Sequence, residues 1–214
     1  MNKHGLWTRG VTSLLAAVIT FLGGLTLSGA VWAATSPLEI IRSTTNNVLR
    51  VIADPTTQRQ ERHEQQIENM WDILLPKFDT ENIAQRSLGL HWKKLTEDQR
   101  QEFTRLYLQL VKKSYGNTLK RYTANAEFFF DREHIEGDQA EVYTRIKSPS
   151  QAKAFSVVYR LHKQGEKWLI YDVVAENISL VQNYRNQFSR IASQSSVDGV
   201  IDALKRKLAE LAAT

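Results

Sequence analysis

The rhythm of apolar residues along the chain changes twice. From Pro37 to about Tyr122 they recur three or four positions apart, from Asn125 to Val174 they alternate with polar ones, and after Ser179 the wider spacing returns. Ile40, Ile41, Val48, Val51 and Ile52 predict an amphipathic helix, opened by Pro37 and stopped by Asp54-Pro55. A second helix is expected from Thr57, polar through Arg62-His63-Glu64-Gln65-Gln66, apolar at Ile67, Met70, Trp71, Leu74 and Leu75, and ended by Pro76. Asp79 to Leu88 reads as a short helix capped by Asp79 or Thr80, with Gly89 supplying a left-handed C-terminal cap. Thr96, Glu97, Asp98 and Gln99 form a start signal, because the hydroxyl caps, the Gln reaches back, and two acids face the positive end of the helix dipole. The long helix that follows carries Phe103, Leu106, Tyr107, Leu110, Val111, Ser114, Tyr115 and Leu119 on one face.

Four strands are expected at Glu127–Asp131, Ala140–Ile146, Phe155–Leu161 and Trp168–Val174, separated by Glu136-Gly137-Asp138, Lys147-Ser148-Pro149-Ser150 and Lys163-Gln164-Gly165-Glu166-Lys167. Connections this short favour an antiparallel meander. In the third strand Phe155, Val157, Tyr159 and Leu161 share one side, and Ser156, Val158, Arg160 and His162 the other. The fourth is apolar on both sides apart from Asp172, the pattern of a strand packed on each face. A helix opening at Asn177 to Ser179 carries Leu180, Val181, Tyr184, Phe188 and Ile191; Ser193-Gln194-Ser195-Ser196 interrupts it, and a last helix runs from Val197. The fold class expected is α+β: a single domain with a four-stranded antiparallel twisted sheet packed against several helices around an apolar cavity. The cavity is suggested by Tyr107, Tyr115, Tyr159, Tyr171 and Trp168, amphipathic rings whose polar tips need a partner when buried and which suit a cavity mouth.

The first 33 residues change the picture of where such a domain works. Lys3 and Arg9 precede an apolar run, Val11 to Leu27, and Val31-Trp32-Ala33 has the small-x-small form of a cleavage site, so residues 1–33 read as a secretory signal peptide cut after Ala33 and residues 34–214 as the mature domain. Cleavage removes two bases and no acid, lowering the formal charge from +5 to about +3, too small a bias to argue for a nucleic-acid partner. There is no cysteine, so neither a disulfide framework nor a thiol nucleophile exists. His4, His63, His91, His134 and His162 show no metal-ligand spacing, and neither a phosphate loop nor a G-x-S-x-G elbow occurs. One residue invites a catalytic alternative: Asp172, set in an apolar strand, as a general base in a cone-shaped isomerase-like enzyme. Against that stands a carboxylate paired with an arginine or capping backbone amides.

Five stretches in order carry a family resemblance: Leu74-Leu75-Pro76-Lys77-Phe78-Asp79 leading to Leu88-Gly89-Leu90-His91-Trp92; Leu95-Thr96-Glu97-Asp98-Gln99-Arg100; Ser114-Tyr115-Gly116-Asn117-Thr118-Leu119; Trp168-Leu169-Ile170-Tyr171-Asp172-Val173; and Ser179-Leu180-Val181-Gln182-Asn183-Tyr184-Arg185. Together they resemble MlaC-type periplasmic phospholipid carriers, also called toluene-tolerance proteins. One departure is Glu176-Asn177, where that family commonly has Gly after the Glu; Asn tolerates left-handed backbone. The resemblance implies a non-enzymatic periplasmic carrier without cofactor that holds phospholipid acyl chains between sheet and helices. It implies shuttling between an outer-membrane lipoprotein complex and an inner-membrane ABC transporter complex with its membrane-anchored substrate-binding subunit, in support of outer-membrane lipid asymmetry. The matching walls are Leu74, Leu75 and Phe78, then Leu106, Leu110, Val111 and Tyr115, then Val157, Tyr159, Leu161, Ile170 and Val173, with Tyr184 closing one end. Lys93, Lys94, Lys112, Lys113, Lys120 and Arg121 are the expected docking face.

Overall fold

A computed structural model describes residues 35–53, 63–123, 125–149 and 153–213, and excludes the side chains of 63 and 120–123. The expected leader and the start of the second expected helix, residues 57–62, lie outside them. Helix α1 (Pro37–Ala53) turns Ile41, Thr44 and Val48 inward. Its first amides find two acceptors: the Ser36 hydroxyl takes the Glu39 N–H at 3.3 Å and the Glu133 carboxylate takes the Leu38 N–H at 2.7 Å. Helix α2 (His63–Leu74) passes into a 3-10 turn, Leu75–Lys77, at Pro76. Helix α3 (Thr80–Leu88) is capped by Asp79, which accepts the Asn82 N–H at 2.9 Å, and ends at Gly89 with φ 63°. A second 3-10 turn, Gly89–Lys94, leads to α4 (Glu97–Thr123). There Thr96 and Gln99 bond each other reciprocally, at 2.9 and 3.3 Å.

The sheet is antiparallel, in the order β1 (Glu127–Glu136), β2 (Gln139–Lys147), β3 (Phe155–Gln164), β4 (Lys167–Ala175) and β5 (Ile178–Ser179). Two expectations need correction. The sheet has five strands among the described residues, because Ile178 and Ser179 fold back to pair with Ala175 and Val174 before helix α5 (Leu180–Ser195) begins. Two residues are too few to show an alternation. The reversal uses Glu176 (φ 47°) and Asn177 (φ 66°), the left-handed pair that a two-residue hairpin requires. Strands β1 and β3 also outrun their expected ends at Asp131 and Leu161; Gln164 pairs with Lys167, so only Gly165 and Glu166 turn.

Both long outer strands bulge. In β1 the register skips Asp131, and in β4 it skips Tyr171, so side chains beyond each bulge change face. On β4 this places Val173 opposite Tyr159 on the same inner face as Ile170 opposite Leu161, although the two are an odd number of residues apart. Helix α1 lies across that inner face, with Ile41 packed on Ala140, Val142, Leu161, Trp168 and Ile170, and Arg42 stacked over Phe130 at 5.0 Å. Helices α3, α4, α5 and α6 (Val197–Ala212) make a separate aromatic core around Trp92, Phe103, Tyr107, Tyr184 and Phe188. A third cluster, Val48, Met70 and Trp71, joins α1 to α2. Phe78 bridges from the 3-10 turn to Ile170 of β4, and the neighbouring Asp79 N–H donates to the Ile170 carbonyl at 2.9 Å.

Candidate functional site

The thirteen residues expected to line an apolar slot divide by burial. Leu106, Leu110 and Tyr184 are buried in the helical core, Leu161 and Ile170 in the sheet core, and Val157 on the inner face. Leu74, Leu75, Phe78, Val111, Tyr115, Tyr159 and Val173 are half-buried instead. These seven fringe the three clusters: Phe78 packs against both the helical and the sheet core, Val111 against both the helical core and the α1–α2 cluster, Leu74 and Leu75 against the latter, and Tyr159 and Val173 against the sheet. Phe128, Phe130 and Phe155 extend the half-buried inner face towards the end of the sheet away from the β1–β2 and β3–β4 hairpins.

Polar groups are sparse on this face. Tyr159 sits between Val142 and Val173. Its ring keeps part of its surface open, yet the protein around it is dense enough that burial pushes the phenol up to about 12. Among the described residues its hydroxyl makes no hydrogen bond. Two further phenols run through the helical core. Tyr107 is raised by burial and accepts a bond from the Ser87 hydroxyl at 3.1 Å. Tyr184 is likewise raised by burial, and it shares side-chain hydrogen bonds with Tyr115 and Ser114. The Tyr107 and Tyr184 rings meet edge to face at 4.9 Å.

Asp172, the residue of the catalytic alternative, is 4% exposed and fully engaged. One carboxylate oxygen accepts the Val181 N–H at 3.1 Å; the other takes the Ser179 hydroxyl at 2.7 Å and an Arg160 N–H at 3.4 Å. Negative charge at the first turn of α5 is stabilised by the unsatisfied amides there. This is the arrangement of a helix cap and an arginine partner. Arg160 also reaches Glu141 at 3.0 Å, and Asp131 and Arg145 pair at 2.7 Å, so the outer sheet face is a solvated charge ladder. The Tyr143 hydroxyl, donating to Glu141, and then Arg160 hold that carboxyl below its ordinary range. Among the described residues no group of three acidic or histidine side chains could hold a metal. Of the basic residues expected to dock, Lys93, Lys94 and Lys113 are exposed, Lys112 pairs with Glu68 at 2.7 Å, and the side chains of Lys120 and Arg121 are not described.

An antiparallel sheet with one apolar face, crossed by a helix and fringed by half-buried apolar residues, defines an α+β domain. Residues 42–206 match the sequence model of the MlaC protein family, and the chain belongs to that family. It is 22% identical over 141 residues to the intermembrane phospholipid transport system binding protein MlaC of Haemophilus influenzae. That match covers 64% of this chain and 65% of that protein, so the chain spans just under two thirds of that relative's length. It is also 22% identical over 167 residues to a toluene tolerance protein of Pseudomonas putida, covering 78% of this chain and 77% of the relative. The phospholipid-binding protein of Ralstonia solanacearum, solved in complex with a phospholipid, shares the fold with a TM-score of 0.71 at 22% identity, over 81% of this chain and 97% of that one.

Proposed function

We propose that the protein is a non-enzymatic phospholipid carrier. After loss of residues 1–33 it works in the periplasm, moving lipid between an outer-membrane lipoprotein complex and an inner-membrane ABC transporter complex, so that outer-membrane lipid asymmetry is maintained. The observation that carries this reading is the set of half-buried apolar residues along the cluster borders: Phe78 packs against both the helical and the sheet core, Val111 against both the helical core and the α1–α2 cluster, and Tyr159 lies part-open on the apolar sheet face, as the walls of an apolar slot would. Acyl chains then lie between Val157, Tyr159 and Val173 on the sheet and Leu74, Leu75, Phe78, Leu110, Val111 and Tyr115 on the helices, with Leu106, Leu161, Ile170 and Tyr184 behind them.

The energetics suit such a slot. A diacyl lipid exposes roughly 30 methylenes, and at about 0.8 kcal/mol each, leaving a membrane unassisted costs on the order of 20 kcal/mol. Polar contacts cannot match that, so affinity comes from apolar area and tolerates varied headgroups. Mass spectrometry of an organic extract of the untreated protein is expected to return phospholipid. Val157→Trp is expected to lower the lipid-to-protein ratio while the fold is retained, because the ring enters the slot. An empty extract, with no lipid taken up from liposomes, overturns the proposal.

A further inference from the structure

Away from the inner sheet face, the surface between α3, the 3-10 turn after it and α5 opens into a cleft of about 640 Å³. Two arginines line it, Arg86 and Arg185, together with the Asn82 and Gln85 amides, and no carboxylate does. Among the described residues each guanidinium hydrogen-bonds through its Nε. Arg86 Nε donates to the Asn82 side-chain oxygen, and the guanidinium stacks on the Tyr171 ring at 4.4 Å. Arg185 Nε donates to the Arg86 carbonyl at 2.7 Å, satisfying one of the open carbonyls at the end of α3. Arg185 lies against Gly89, whose φ of 63° is the left-handed geometry that favours glycine. Among the described residues neither arginine has an ion-pair partner, whereas Arg145 and Arg160 of the sheet each hold one. The terminal nitrogens of both are left to the cleft. Leu90 stands at the same cleft, 84% exposed.

We infer that this cleft is a docking site for an acidic protein segment, seating an Asp or Glu carboxylate between Arg86 and Arg185 with an apolar neighbour on Leu90. Two anchored guanidinium forks favour a planar oxyanion taken in pairs of bonds, the geometry for which arginine is used over lysine. Diffuse attraction to an anionic bilayer needs only mobile surface lysines, whereas these two guanidinium groups are each anchored through Nε and so preorganised. A charged pair beside one exposed aliphatic side chain is also the composition of a small protein contact. The proposal rests on the carrier reading, in which lipid passes to and from membrane protein complexes.

A photoreactive p-benzoylphenylalanine in place of Leu90, in cells of the source bacterium, tests it. The expected result is a cross-link to an envelope protein whose cross-linked peptide contains Asp or Glu. Arg86→Glu with Arg185→Glu should cut its yield by about tenfold or more. Because that pair also braces α3, Gln85→Glu serves as the second variant: it adds a competing charge while leaving both arginines in place, and should lower the yield in the same direction. Lys207→Glu on α6 should leave it unchanged. Cross-links to phospholipid alone, no cross-link, or a yield indifferent to Gln85→Glu overturns the docking site. Lipid content of the same preparations separates the two readings: lipid-loaded variants that no longer cross-link have lost docking, whereas wild-type protein without lipid sinks the carrier and leaves the cross-link to be judged alone.

Discussion

Tyr159 lies half-buried on the apolar face of β3, and among the described residues its hydroxyl makes no hydrogen bond. Strand periodicity in the sequence identified the side of β3 on which this ring lies, but not that its tip would be unpartnered, since that depends on Val142 and Val173 across two strands. The phenol has a consequence for stability. Its folded-state pKa, pushed up to about 12 by burial, lies above the ordinary 10.0, so the folded protein keeps a proton that the unfolded chain releases. Tyr107 and Tyr184 are raised in the same direction, again chiefly by burial. Stability from these three is therefore complete below about pH 10 and is lost as pH rises towards 12 and beyond. Urea midpoints measured from about pH 9 to about pH 11.5 should fall. Tyr159→Phe should flatten that fall. A midpoint independent of alkaline pH would contradict the burial of all three rings.

At the scale of elements, what the sequence showed and what it hid have different origins. Helix starts were legible because capping is local: Asp79, the Thr96–Gln99 pair and Ser179, which accepts the Gln182 N–H at 3.0 Å, all act within three residues. The bulges at Asp131 and Tyr171 and the short fifth strand were hidden, because each is decided by the strand alongside. The Arg86–Arg185 cleft was hidden for the same reason, its two arginines lying 99 residues apart. Gly116 belongs to the hidden set too. It stood in a recognisable stretch of sequence, yet its role is to let α2 approach α4: a Cβ there would lie 2.9 Å from Ile67 Cγ2 and 3.5 Å from the Trp71 indole nitrogen. Ala in place of Gly stabilises a helix by about 1 kcal/mol, but overpacking costs about 1–3 kcal/mol, so Gly116→Ala is expected to destabilise by about 1 kcal/mol and Gly116→Val by more. Thermal unfolding with unchanged far-UV circular dichroism checks this. A higher midpoint for Gly116→Ala would mean that the two helices do not touch there.

For the molecule as a whole, the division of the interior into three clusters sets what a ligand does to stability. Phe78 and Val111 each pack against two of the clusters, and on the proposed carrier reading the half-buried fringe they share with Tyr115, Tyr159 and Val173 is where a lipid adds contacts. A bound lipid would touch all three, and by linkage it stabilises only the folded state, by about 2.7 kcal/mol at a hundredfold excess over its dissociation constant. In a chain of this size that corresponds to roughly 5–10 °C in the unfolding midpoint. Stripping lipid with detergent or solvent should therefore lower the calorimetric midpoint by that order. Hydrogen exchange should speed up at the 3-10 turn Leu75–Lys77 and in β3 and β4, while α5 and α6, which bury Tyr184, Phe188, Val200, Ile201 and Leu204 in the helical core, keep their protection. Equal midpoints and identical exchange before and after stripping would mean that the fringe is closed by its own side chains, because an empty apolar slot leaves its lining without partner atoms and loses that stabilisation.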